Sequence, residues 1–468
     1  MATIQIEGRV AAAEGLGPDE AETVRELVWT WRDNRAANEL RDRYYLGKVK
    51  PKNSGISVRK SFRLDASCGW PRKAVDYIAM RSQFDGFTTA DEDADALLRR
   101  FVAFNDVKYL YQTAVTSELT HCCVFGCVTQ GGAFTDQQGQ RRRDALVCFT
   151  PATASSGVFD DESQSISSAL TVRACERKRG KTTPTVIDAY LPDEVLTLSL
   201  VGGSWAVTER RSMSMGRTLC EPLVNNPTLV HPFGHSLITP SVMALTDEYL
   251  AEFQRAALAA EFAAAPQKYL LNTDKSAIAN TKYEAYIGEI FAVSKSKDGT
   301  VPVFGQLPQL SMEPHLGYVR SLAAQVSGET NVPLSALGIV HDNPSSAEAI
   351  AANKEDAVIQ VQRLNAGNGR ALVNIGWMAL AIMRGTDFET ERAAVPDLSA
   401  RFRDPSMPSI VSQSDAMVKQ ISAIDWSGET DVALEKLGYN DEEIQRMNAQ
   451  KARSEAMAAL QFAMVDDE

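Results

Sequence analysis

The stretch from Thr228 to Tyr269 constrains this chain more than any other. It opens as a loop, Leu229–Val230–His231–Pro232–Phe233–Gly234–His235–Ser236, turns helical at Pro240 and stops at Pro266. Alanine fills 9 of the 26 positions from 240 to 265, which raises helix propensity and leaves little side-chain bulk. At 1.5 Å per residue such a helix is about 39 Å long. Its bulky apolar residues are too sparse to build a core alone, so it must pack closely against other helices. A second helix, from about Met312 to Val326 with Pro314 in its first turn, supplies one partner. Neighbouring copies of the chain are expected to supply the rest. The segment between them, 267–310, has mixed strand and helix character.

Upstream, Val24, Leu27, Val28, Leu40 and Tyr44 form the stripe of a helix over 18–46, stopped by Gly47. Helices are also predicted over Trp70–Met80, with Pro71 in the first turn, over Asp91–Asn105 and over Lys108–Cys122. The middle is β-rich. Cys127–Gln130 and Ala145–Phe149 read as strands across a polar loop holding Arg141, Arg142 and Arg143. Ser167–Arg177 and Thr185–Leu191 flank a turn at Lys178–Lys181, and Val195–Val201 and Ser204–Thr208 flank the hairpin signal Gly202–Gly203. This is an antiparallel meander rather than a βαβ series, which disfavours a Rossmann-type fold and makes the class α+β. Ser345-x-x-Glu348 is a capping box that starts a helix reaching Arg384, and Gly367 and Gly369 predict a kink or break in it. From Pro408 onward the pattern reads as three short helices.

The 468 residues suit two to four domains. The net charge is −12. Residues 411–468 hold 12 acidic and 5 basic side chains, a net of −7. An acidic chain argues against a tight grip on DNA phosphates, though not against a wall that DNA slides past. The sequence Met1–Glu7 lacks the basic and apolar regions of a signal peptide. The most hydrophobic uncharged run, Ala371–Met383, has 13 residues, too few to span a bilayer. Seven cysteines without framework spacing predict free thiols in a reducing cytoplasm.

The candidates for chemistry are weak. His121–Cys122–Cys123–Val124–Phe125–Gly126–Cys127 lacks the second ligand pair that a structural zinc requires, so these cysteines read as small buried core residues. Arg179–Gly180–Lys181–Thr182 resembles the end of a P-loop, but Cys175 stands where the motif needs glycine. It reads as a solvated hairpin turn. His231 and His235 read as loop or interface residues, and Arg141–Arg143 as a solvated loop. No catalytic residue, metal or cofactor is expected. The rival readings are a cytoplasmic thiol-dependent hydrolase using Cys127 or Cys122, and a capsid or adaptor structural protein.

Several segments in order resemble the portal proteins of long-tailed, siphovirus-like bacteriophages. They are Arg43–Tyr44–Tyr45–Leu46–Gly47–Lys48; a helix from Trp70 ending in Phe84–Asp85–Gly86–Phe87; the Thr228–Pro266 approach loop and helix; Thr330–Gly338; Asn343–Ile350; and Leu437–Gly438–Tyr439 with Glu442–Glu443–Ile444. The resemblance implies a portal fold with wing, two-helix stem, clip and helical crown. The corresponding spans are 1–238 for the first part of the wing, 239–266 and 311–338 for the stem helices and 267–310 for the clip. A tunnel loop covers 339–346, the rest of the wing 347–407 and the crown 408–468. It implies channel residues His341, Asp342, Asn343, Pro344 and Ser345, stem-packing residues Ala257, Ala260, Tyr318 and Leu322, and clip residues Lys268, Tyr269, Lys282 and Tyr283. It implies a homo-oligomeric ring, a dodecamer, at the portal vertex of a virion, made in the host cytoplasm. The ring would pass double-stranded DNA during packaging and ejection. Its expected partners are terminase, head-completion proteins and a capsid or scaffolding protein, with no membrane.

Overall fold

The computed structural model describes residues 4–50, 66–136, 139–178, 181–264, 268–272, 299, 301–306, 308, 310–339, 347–406, 410–439 and 441–465. The chain divides into two units, Met1–Arg403 and Asp404–Glu468.

In the first unit, α1 (Pro18–Tyr45) starts with its proline at the first turn, and Glu20 reaches back to the Gly17 amide at 2.8 Å. Helix α2 (Trp70–Ala79) is followed by strand β1 (Phe84–Thr88). Helix α2 ends within one residue of the Met80 limit read from the sequence, while Phe84–Phe87, which the resemblance places at a helix end, lies in a strand paired antiparallel with Ser399–Phe402. Next come α3 (Glu92–Phe104), capped by the Asp91 carboxylate on the Ala94 amide at 2.8 Å, and α4 (Val107–His121).

Strands β2 (Cys123–Thr135) and β3 (Arg141–Pro151) run well beyond the expected limits. The three arginines thus lie on a strand, not in a solvated loop. Arg142 is buried, and its guanidinium donates to Asp136 at 2.5 Å and Asp93 at 2.9 Å. Paired acids make Arg142 compatible with burial, while Arg141 and Arg143 stay exposed. Strands β4 (Ser155–Asp160), β5 (Ser165–Lys178), β6 (Lys181–Leu191), β7 (Glu194–Val201) and β8 (Ser204–Ser212) form a five-stranded antiparallel meander in that order. Gly202 and Gly203 turn its last hairpin with φ of 60° and 90°, a left-handed pair open to glycine. Strand β9 (Cys220–Val224) joins β2 and β3 in a three-stranded sheet ordered β3-β2-β9.

That small sheet is covered on both faces. A Cβ on Gly126 would stand 2.7 Å from Ile375, and one on Gly157 of β4 would stand 2.8 Å from Phe125, the neighbour of Gly126 in β2. Alternate residues of β2 therefore face a helix on one side and the meander on the other. The covering helix is the 38-residue Ala347–Arg384. It continues through Gly367 and Gly369 without the expected break. Gly369 instead lets it lie against Phe402, 3.3 Å from where a Cβ would stand, and Gly376 does the same beside Leu398 and Phe87. Small residues here serve close packing. Ala357, Val361, Leu364, Leu372, Ile375, Met378, Ala379 and Ile382 are buried along this helix at helical spacing. Fully burying each large one is worth about 1.5–3 kcal/mol, which makes the helix the spine of the main core. A second apolar cluster sets Val24, Leu27, Val28 and Trp31 of α1 against Leu170, Ile187, Leu196 and Leu198 of the meander.

The second unit holds helices Ile410–Ala423, Asp431–Lys436 and Asp441–Val465, with a 3-10 turn at Asp425–Glu429. Its last helix is 25 residues long rather than short. Among the described residues no helix is long and apolar enough to cross a membrane.

Candidate functional site

The Thr228–Tyr269 stretch leads out of the core sheet into a helical pair. After β9 the chain makes a turn in which the Thr228 and His231 backbones bond each other at 3.1 and 3.2 Å. Gly234 has φ 70°, and a Cβ there would stand 2.1 Å from the Asn225 carbonyl oxygen, so only glycine fits. The Ser236 hydroxyl donates to the Thr120 carbonyl at 2.7 Å, and the Leu237 amide to the Leu119 carbonyl at 2.9 Å. These bonds tie the loop to the end of α4. The rings of His231 and His235 meet edge to face at 5.0 Å. Leu229 and Val230, 98% and 80% exposed, stand at the tip.

Helix α5 (Pro240–Ala264) follows and packs along α6 (Glu313–Thr330). At its base Trp70 lies 4.4 Å from the Tyr249 ring, and the Tyr44 hydroxyl donates to Asp247 at 2.9 Å. Leu322, Ala323 and Val326 bury the C-terminal half of α6. Further out the join is polar. His315 Nδ1 lies 2.5 Å from the buried Glu252 carboxylate, whose other oxygen accepts from Arg255 at 3.1 Å. Arg255 also donates to Glu248 at 3.2 Å. Beyond, the antiparallel strands β10 (Lys268–Leu271) and β11 (Val303–Gln306) pair in a two-stranded ribbon. Tyr269, Leu271, Val303 and Phe304 are exposed on it, as are Phe253, Leu316 and Tyr318 on the helices.

Of the stem residues expected from sequence, Leu322 is buried, Ala257 is half-buried, and Ala260 and Tyr318 are exposed. Tyr318 lies 3.5 Å from Glu248. Of the clip residues, Lys268 and Tyr269 fall in β10, while Lys282 and Tyr283 lie outside the described residues. The channel residues His341, Asp342, Asn343, Pro344 and Ser345 also lie outside them, and with them the start of the capping box. Sequence reasoning missed the His315–Glu252 contact. Its signal is a lone histidine in the first turn of one helix and a glutamate mid-way along its partner, which only the packing register brings together.

The cysteine segment offers no accessible nucleophile at Cys127, whose side chain is wholly buried. Burial pushes the Cys127 thiol well above its ordinary range. Cys123 is buried too, while Cys122 is half-buried at φ 84° and its thiol is raised by burial. His121 spends both ring nitrogens on other partners, Nε2 on Asp42 at 3.0 Å and Nδ1 on Ser117 at 3.2 Å. A 380 Å³ pocket beside it is lined by Asn38, Arg41, Cys122, His231 and His235. Lys181 and Thr182 begin strand β6, where a P-loop needs a helix. Among the described residues no group of three His, Cys, Asp or Glu side chains is arranged to hold a metal.

No protein-family model matches the chain. The portal protein of Mycobacterium phage L5 is 25% identical over 464 residues, covering 96% of this chain and 92% of its own length. That of Mycobacterium phage D29 is 25% identical over 453 residues, 94% and 90% of the two chains. Among solved structures, a chain from the neck of an empty GTA particle (C6 symmetry) overlays with TM-score 0.44 at 14% identity, covering 76% of this chain and 86% of that one. One from the neck of a native GTA particle (C12 symmetry) gives 0.43 at 12%, covering 79% and 89%. Along nearly its whole length the chain resembles the portal proteins of long-tailed bacteriophages, the family to which its ordered sequence elements point.

Proposed function

We propose that this chain is a bacteriophage portal, the head–tail connector whose ring forms the DNA channel at one capsid vertex. The observation that carries this reading is the match to two portal proteins over 96% and 94% of the chain. The apolar surface on the α5–α6 pair and its ribbon supports it, because a ring of copies would cover that surface. The second unit supports it as well. Only Met417, Ala433 and Ile444 are buried apolar residues among its described positions, while Val418, Trp426, Val432 and Met457 are exposed. Those exposed apolar side chains are ones that neighbouring copies could cover. The wholly buried Cys127 counts against a thiol hydrolase built on it.

In finer detail, residues 1–238 and 347–407 form the wing, 239–266 and 311–338 the stem and 267–310 the clip. Residues 339–346 form the tunnel loop and 408–468 the crown. About twelve copies close the ring through heterologous contacts. The acidic surface suits a wall that DNA slides along, since it offers no counterion-release gain. Terminase docks on the ring during packaging, head-completion proteins dock on the clip, and the capsid or scaffolding protein surrounds the wing. No chemical step is required of the chain.

Electron microscopy and native mass measurement of the purified full chain test this reading. Rings of about twelve copies are expected. A monomer at every concentration tried would sink it. Deleting 341–344 tests the tunnel-loop assignment separately. Rings should persist while particles fail to package or retain full genomes, and normal packaging would remove the loop from the channel.

A further inference from the structure

We propose that Cys148, Cys127 and Cys220 form an oxidisable thiol row, in which exposed Cys148 takes up a low-molecular-weight disulfide and passes the oxidation inward to close a buried Cys127–Cys220 disulfide. Cys127 on the central strand β2 stands directly opposite Cys148 of β3 on one side and Cys220 of β9 on the other. The Cys127 and Cys220 sulfurs are 3.0 Å apart. The Val128 amide donates to the Leu219 carbonyl, so Cys127 and Cys220 are the neighbouring non-hydrogen-bonded pair. The Cα atoms of such a pair stand about 4.5 Å apart. A central strand alternates its bonding between its two neighbours, so Cys127 and Cys148 form the wider kind of pair, about 5.5 Å. Both separations fall within the roughly 4.4–6.8 Å that a disulfide spans.

Access sets the order of events. Cys127 and Cys220 are wholly buried, whereas Cys148 sits exposed on the edge strand. An oxidant RS–SR therefore meets Cys148 first. The Cys148 sulfur displaces RS⁻, which leaves as RSH with the thiol proton, and a mixed disulfide forms. The Cys127 sulfur then attacks Cys148 and releases the second RSH. Finally the Cys220 sulfur attacks Cys127, and Cys148 departs as a thiol. Overall, two thiols lose two electrons and two protons to one disulfide, giving two RSH. The contact with Cys127 raises the Cys148 thiol, and burial raises that of Cys127. The thiolate is the attacking species, so the row is slow at neutral pH and faster in base. Once closed, the bond fixes β9, the strand that leads toward α5, to the core sheet. None of this depends on the portal reading.

The test uses the full chain with oxidised glutathione at pH 8, alkylation of remaining thiols, and mass mapping of unreduced peptides. A Cys127–Cys220 cross-linked peptide is expected to accumulate. Cys148→Ser, a change on the exposed edge checked by circular dichroism, should slow its appearance about tenfold or more. Cys220→Ser should instead trap Cys127–Cys148 or a glutathione adduct on Cys148. Closure of Cys127–Cys220 at the same rate in Cys148→Ser would overturn the relay. So, in the unsubstituted chain, would glutathione held on Cys148 with no cross-link to Cys127, or cross-links spread over Cys122 and Cys175. If Cys220→Ser fails to fold, the Cys148→Ser rate still decides.

Discussion

Replacing Glu118 with Gln should stabilise the first unit at pH 8 and change little at pH 5. Glu118 is wholly buried on α4 against the long 347–384 helix. Its Oε2 accepts from Asn368 at 2.8 Å, while Oε1 has no partner. Asn368 also donates to Tyr111, whose hydroxyl lies 2.7 Å from Ser82, and Ser82 donates to Asn365 at 2.6 Å. Burial pushes the Glu118 carboxyl from 4.5 up to about 8, against the smaller downward pull of the Asn368 bond. The folded value lies above the unfolded one. The stabilisation is therefore complete below the unfolded value and is lost as pH rises through about 8. At about 1.36 kcal/mol per unit, the loss is about 1 kcal/mol at pH 5, about 3 kcal/mol at pH 7 and about 4 kcal/mol at pH 8. Gln stays neutral in both states and avoids it. A unit of roughly 400 residues has an unfolding entropy of about 0.8 kcal/mol/K, so 3 kcal/mol is about 4 °C in Tm. Thermal unfolding of both proteins at pH 5, 7 and 8, followed by circular dichroism, is the assay. The gap should widen from about 1 °C to about 5 °C over that range. A gap independent of pH, or a variant less stable at pH 8, would refute the reasoning.

Gly234→Ala should lower stability by about 2–4 kcal/mol, because its Cβ would stand 2.1 Å from the Asn225 backbone oxygen at a left-handed φ; a Tm equal to that of the parent would contradict the packing. Gly126→Ala should cost about 1–3 kcal/mol through contacts at 2.7 Å with Ile375 and 2.9 Å with Phe149. Pairing it with Ile375→Ala should recover part of that loss, and strict additivity in urea unfolding would count against the clash. The Arg210 guanidinium beside Glu20 holds its carboxyl at about 2. Glu20→Gln should therefore cost at most about 1 kcal/mol at pH 7, since the pair is near the surface, and the difference should fade as pH falls from the ordinary carboxylate range through about 2. Ala257→Glu and Ala260→Glu should reduce the yield of rings on size-exclusion chromatography, and unchanged yield for both would place these positions outside the subunit contacts.

Helices with local signals were legible in the sequence. Pro18 and Pro71 at first turns, the Asp91 cap and the apolar stripe of α1 each act within a few residues, so α1 through α4 were foreseen within a few positions of their ends. The meander was legible because Gly202–Gly203 and the Lys178–Lys181 turn punctuate it. What escaped depends on distant partners. Phe84–Thr88 becomes a strand only because Ser399–Phe402 lies beside it, over 300 residues away. Arg141–Arg143 looks like a loop until Asp93 arrives from α3 to neutralise Arg142. Gly367 and Gly369 look like breakers because their packing against Phe402 is invisible locally. Glu118 gave no signal at all, since a carboxyl in a helix reads as solvent-facing until Asn368, from a helix 250 residues away, arrives as its partner.

The helical pair shows where local signals end and assembly begins. Alanine at 9 of 26 positions foretold a helix that others must approach closely. The C-terminal half of α6 meets that need within the chain, burying Leu322, Ala323 and Val326, and Glu252 with His315 and Arg255 fixes the register further out. Beyond that point Phe253, Leu316 and Tyr318 stay in water together with Tyr269, Leu271, Val303 and Phe304 of a two-stranded ribbon. A two-stranded ribbon is marginal on its own. Apolar surface on an isolated pair and ribbon lowers stability unless another surface covers it. A helix pair that is secured at its base and, among the described residues, leaves apolar side chains exposed further out is what a ring of identical copies can complete, because each copy brings both the surface that needs cover and the surface that supplies it.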